Sequence, residues 1–423
     1  MRRLRLVLVV AFLAAACGDI SDTAATSTLL STTTSTVPAT TTTEALPTST
    51  TTTTAVTTTT AARSPFREDG TLTALPSLAY WVGPMDGTAA DVPWEGINED
   101  WLLLLARTES PLPDALFLLD PDDRLYLLGG WEVAGSLQDW SPDGRKVVYF
   151  DVEGSRVVAL DLLSGDENVI AVQGDVAARF TLPASRDVAV RQITEQTASI
   201  KVYRSDGTLW STLLDGGSEP SWLYYPDGNR VVLTDQSGVR LVSDQGEPIS
   251  NLAAPGLACQ AARWWGENSV LVSCIDPVYA ATPVAGCWPG SGRGLWAVPL
   301  DGGPAQRVGP GVGPGGDCDQ QGAYQIGMVD AFLLDNTLMV ETQGCCEAGD
   351  VEIYLPSGRA LTRLFGSMPR LVGQRNGRVV VVGYGPALLA EVASDGTFRA
   401  IRPDLAELGS GVLALSLTDP AGA

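Results

Sequence analysis

Six of the seven cysteines fall between residues 259 and 346: Cys259, Cys274, Cys287, Cys318, Cys345 and Cys346. Acids are interspersed among them, at Asp276, Asp317, Asp319, Glu347 and Asp350. Cysteines in an oxidising compartment pair as disulfides. A zinc site would need cysteines in two closely spaced pairs, which this pattern lacks. Disulfides are therefore expected. Cys259 comes almost opposite Cys274 if Trp264 and Gly266 flank a hairpin turn, and Cys287 and Cys318 would then join Cys345 and Cys346 in either order. The acids are oxygen ligands of the kind calcium accepts. Solvated loop carboxylates are the plainer reading, so no metal or cofactor is assigned, calcium being the one the residue types allow.

The chain contains no histidine. Ser-His-Asp triads, Cys-His pairs and histidine metal sites are thereby excluded. Paired carboxylates or calcium-assisted hydrolysis remain, and both need acids converging at one end of a fold. Most aspartates stand instead in Asp-Gly turns, where local hydrogen bonding accounts for them. The formal charge is −22, and it becomes 24 basic against 49 acidic residues, or −25, if Arg2, Arg3 and Arg5 leave with an N-terminal leader. Such a surface repels phosphate backbones, so no nucleic-acid partner is expected.

The elements that position these residues follow from a repeat. Trp140-Ser141-Pro142-Asp143-Gly144 and Tyr225-Pro226-Asp227-Gly228 each precede a β-branched run, and their prolines lie 226 minus 142, or 84, residues apart. Pro183 falls midway, giving a period near 42. Proline presets the second turn position and glycine takes the left-handed conformation that closes a hairpin. A second turn recurs at Gly165, Gly207, Gly246, Gly302, Gly358 and Gly396, each between two apolar runs. Units of up to four short antiparallel strands at this period predict an all-β fold, a β-propeller of seven four-stranded blades. Six or eight blades are the alternatives. The expected blades are 101–130, 136–173, 177–215, 221–252, 260–309, 324–366 and 369–404. The first lacks an innermost strand, and Val412 to Leu417 is left over, so the C-terminal strand is expected to close the ring and remove its exposed edges.

Trp140-Ser141-Pro142-Asp143-Gly144 followed by an apolar strand resembles the repeat of the TolB-like, or WD40-like, propeller family. Tyr225-Pro226-Asp227-Gly228 is a fair second copy, while Gly266-Glu267-Asn268, Leu334-Asp335-Asn336 and Arg375-Asn376-Gly377 keep only turn-forming character. TolB-like propellers commonly have six blades, whereas the spacing here gives seven. The resemblance implies protein or ligand binding at one face and carries over no catalytic residue.

At the N-terminus a basic stretch and the apolar Leu6 to Leu13 lead through Ala14-Ala15-Ala16 to Cys17. This resembles a bacterial lipoprotein signal, with leucine four places before the cysteine instead of the usual three. Lipidation of Cys17 also leaves an even six cysteines. The expected organisation is a signal peptide at 1–16, a threonine-rich disordered stalk at 17–76 and the propeller at 77–419. The stalk would reach about 35 Å as flexible coil. The protein would then be extracytoplasmic, anchored to the bacterial cell membrane by lipid at Cys17, touching the membrane through that lipid only.

Turn spacing lengthens to 56 residues between Gly246 and Gly302 and again between Gly302 and Gly358. Two insertions follow, at 277–293 within blade five and at 310–322 between blades five and six, and both leave the same face. Tyr279 and Trp288, with Asp317, Asp319, Glu347 and Asp350, form the candidate binding face. The expected function is non-catalytic binding of an envelope protein or extracellular ligand by a monomer. An extracytoplasmic hydrolase using carboxylates or calcium is the rival, and an assembly scaffold a third reading.

Overall fold

The computed structural model describes residues 64–417, except 79–82, 109–113, 196, 218, 281–291, 311–326, 344–349, 364–366, 385–387 and 409–410. Seven sheets of antiparallel strands form the blades of a propeller. Each expected blade is present, with its strand ends within three residues of those predicted. Turn residues therefore set the boundaries. The Pro142-Asp143-Gly144 turn shows how: Gly144, at φ 72°, donates its N–H to Ser141 O at 2.7 Å, and the Ser141 hydroxyl accepts the Lys146 N–H at 2.8 Å. In two of the three eroded copies two successive left-handed residues do the same work, and in the third Gly266 alone is left-handed, at φ 64°. Asp335 and Asn336 have φ 48° and 65°, and Asn376 and Gly377 have 52° and 66°, the pattern of a type I′ hairpin.

Blade five runs from centre to rim as Leu257–Trp264, Ser269–Ile275, Arg293–Pro299 and Gln306–Val308. Blade six is Gly327–Leu334, Thr337–Gln343, Val351–Tyr354 and Ala360–Arg363, and blade seven is Ser367–Arg375, Arg378–Tyr384, Leu388–Val392 and Phe398–Ile401. Blade one takes its innermost strand from the C-terminal end of the chain. Gly411–Ser416 pairs antiparallel with Leu102–Arg107, from Leu102 opposite Ser416 to Arg107 opposite Gly411. Asp114–Leu119 and Leu125–Trp131 complete the blade, with the two-residue Gly87–Thr88 parallel on its rim.

Apolar clusters fill every one of the seven interfaces between blades. The run Leu102-Leu103-Leu104-Leu105 shows why strands here need not alternate. Leu102 and Leu104 pack toward blade seven while Leu103 and Leu105 pack toward blade two, so both faces are buried. Packing also begins before the compositional boundary at 77. Leu72 and Leu75 are buried, the Leu72 N–H donates to Leu128 O at 2.8 Å and the Gly130 N–H to Pro76 O at 2.8 Å, which lays residues 64–78 as a strap on the rim of blade one.

Candidate binding face

Strand direction brings both insertions out on one face. The first leaves Ser269–Ile275 and returns into Arg293–Pro299, opening with a helical turn, Pro277–Ala280. The second begins after Gln306–Val308 and ends at Gly327–Leu334. Their roots are fastened in three ways. Cys259 and Cys274 form a disulfide joining the two inner strands of blade five, with Cα atoms 4.1 Å apart and both residues buried. At the start of the first insertion the buried Asp276 accepts the Val278 N–H at 2.8 Å and is ion-paired with Arg307. Arg307 lies 4.7 Å over the Trp296 ring and also donates to Pro310 O at 3.4 Å. A single guanidinium thus ties the start of one insertion to the start of the other. Where the first insertion returns, the buried Arg293 donates to Ala258 O and Ser273 O, both at 2.9 Å. Burial lowers the pKa of Arg293, with Glu219 opposing, and burial also lowers that of Arg307. Beside these roots Leu257 and Val278 are each 58% exposed, an apolar pair on a strongly acidic protein.

The backbone of Tyr279 lies in the helical turn, on the first insertion's root. Asp350 precedes the third strand of blade six on the same face. Its N–H donates to the Thr342 hydroxyl at 3.1 Å and its carbonyl accepts the Thr342 N–H at 2.9 Å. Burial, and then Glu352, raises the Asp350 pKa. Cys17, Cys287, Trp288, Asp317, Cys318, Asp319, Cys345, Cys346 and Glu347 lie outside the described residues. Asp276 is engaged by Arg307, and among the described residues no three acids or cysteines group as metal ligands.

No protein-family model matches the chain, and no curated protein matches it. Solved structures do. A prolyl endopeptidase structure is 12% identical, with 75% of this chain and 49% of that one covered, at a TM-score of 0.50. TolB from Acinetobacter baumannii is 14% identical over 71% of this chain and 63% of that one, with a TM-score of 0.41. A putative 6-phosphogluconolactonase from Bacteroides fragilis is 13% identical over 75% and 99%, with a TM-score of 0.46. The fold is a β-propeller. At these identities the likeness is one of architecture, and the chain spans about half the length of the endopeptidase and under two thirds of that TolB.

The propeller also holds buried charges that sequence reasoning missed. Its inner strands present N–H groups that have no neighbouring strand on the channel side, and side chains of adjacent blades answer several of them. Asp139 accepts the Phe180 N–H, Ser221 the Ala261 N–H and Glu341 the Leu371 N–H, each at 2.8 Å. Glu341 is buried and also accepts the Gln343 side-chain amide at 3.0 Å. Burial, reinforced by Asp330 across the strand, pushes its pKa up to about 7. Asp330 itself takes both arms of Arg263, whose guanidinium sits 3.5 Å over the Phe332 ring. These carboxylates join blades. Their one sequence signal was a charged residue interrupting an apolar strand.

Proposed function

We propose that the protein is a lipid-anchored binding module whose propeller engages an envelope protein or extracellular ligand, without catalysis, through the face that blade five's insertions leave. The observation that carries this reading is the shared brace at their roots, Arg307 holding Asp276 and the Pro310 carbonyl together. Long loops lose conformational entropy when they order against a partner. Fastened roots reduce that loss, and rigidly mounted loops are where propellers and other scaffolds place recognition. The exposed Leu257 and Val278 at the border add apolar contact area. A buried disulfide supports an extracytoplasmic address, as does the leader before Cys17. The module works as a monomer, needs no cofactor, avoids nucleic acid and meets the membrane through its lipid alone.

Crosslinked capture from the envelope tests this, comparing the parent with a variant in which residues 279–291 are replaced by a short turn and with Arg307→Ala. Both variants are expected to lose a partner that the parent captures, while circular dichroism retains the β signal. Capture unchanged by either variant would place the functional surface elsewhere.

A further inference from the structure

A second concave site lies between blades one and two, away from blade five. It is a cleft of about 290 Å³ walled by Pro76 of the strap, Trp131 at the end of blade one's strand Leu125–Trp131, and Tyr149 of blade two. Its charge is lopsided. Glu132, Asp151, Glu153 and Glu167 line it against Arg156 alone, four negative charges against one positive, and Arg156 already answers Asp151 at 2.8 Å. The residues of the walls also carry hydrogen-bond donors. Trp131 is 3% exposed, and its indole N–H has no partner among the described residues. Buried donors normally find acceptors, because leaving one unmet forfeits its hydration without return. Tyr149 meets the Trp131 ring edge-on at 5.1 Å. Burial, then Glu167, pushes its phenol up to about 12, so it stays a neutral hydroxyl.

We propose that this cleft binds a small organic cation that also bears oxygen acceptors, the chemistry of an amino sugar or an amino alcohol. Free carboxylates select the ammonium group, and the indole and phenol donors select oxygen. The volume sits at the low end of small-molecule sites, which suits a single sugar ring and not a polymer. The assignment is independent of the insertions on blade five.

Titration calorimetry of the full-length protein with glucosamine, ethanolamine and N-acetylglucosamine tests it. The two amines are expected to bind saturably and N-acetylglucosamine, which keeps the ring but loses the charge, to bind far more weakly. Tighter binding of glucosamine than of ethanolamine assigns the amino sugar, and the reverse assigns the amino alcohol. Replacing Glu153→Gln and Glu167→Gln together, on exposed positions that leave the fold intact, is expected to weaken glucosamine about tenfold. Trp131→Phe is expected to weaken it without changing the preference for the charged ligand. Saturation by neither amine, equal binding of N-acetylglucosamine, or an unchanged affinity in the glutamine pair would each overturn the proposal.

Discussion

Arg375 is the most fully enclosed charge in the described ring. It ends the innermost strand of blade seven with no exposed surface and donates to Glu391 at 2.7 Å, Asp123 at 2.9 Å and Asp100 O at 2.9 Å. Asp100 and Asp123 belong to blade one, so one side chain spans the seam where the ring closes. Arg375→Met leaves Glu391 buried with only the half-exposed Arg399 as partner. A loss of about 3–5 kcal/mol in urea unfolding is expected, because an uncompensated buried charge is far costlier than an absent pair. The double variant Arg375→Met, Glu391→Leu should be less destabilised than the single one, and an equal loss would assign the effect to the carbonyl contacts. Glu341 supplies a pH test. Its folded pKa of about 7 lies above the ordinary 4.5, so the folded state holds the proton more tightly. Its contribution is therefore fully present below pH 4.5 and lost as pH rises through 7. Glu341→Gln should become more stable relative to the parent across that window, by roughly 1–3 kcal/mol at pH 8. A difference that stays flat with pH would contradict the assignment.

Among the elements, the closing strand and the stapled hairpin make opposite demands. Among the described strands Gly411–Ser416 is the one partner of Leu102–Arg107 on its inner side, and Val412 and Ala414 pack in the interface with blade seven. Deleting residues 411–417 should reopen an edge and expose that core, giving aggregation or a sharply lowered melting point by scattering and calorimetry. A truncated protein that melts like the parent would refute closure. The Cys259–Cys274 bond instead reinforces a hairpin already held by strand pairing. Replacing both cysteines with alanine is expected to lower stability by about 2–3 kcal/mol while the β signal persists. Because both residues are buried, a mild reductant acting on the folded protein should leave this bond intact, which thiol labelling would check.

For the whole molecule, the decisive quantity is the imbalance of 27 basic against 49 acidic residues. Electrostatic adhesion to anionic headgroups is unfavourable, so membrane retention should rest on the proposed lipid at Cys17. Cys17→Ala is expected to release the protein into the soluble fraction, and salt washes should release none of the parent. Retention of the variant would count against lipidation. Residues 64–78 lie on the rim of blade one, and blade five lies three blades away by the shorter path round the ring.

The sequence by itself determined the repeat, and through it the blades. Turn residues act over four or five positions, so Pro142-Asp143-Gly144 and Asn376-Gly377 fix hairpins without help from distant chain. The unpaired run at 412–417 and the missing inner strand of blade one likewise foretold the closure, and the hairpin around Gly266 foretold Cys259 opposite Cys274. Tertiary structure alone decided which charges meet. Arg375 reaches a carbonyl 275 positions away, Arg263 an acid 67 away and Arg307 one 31 away, separations that no local pattern encodes. The cleft beside Trp131 depended on a strap that composition had grouped with the stalk. Backbone turns are short-range and repeat with the sequence, whereas a buried charge finds its partner only after the ring has brought neighbouring blades into contact.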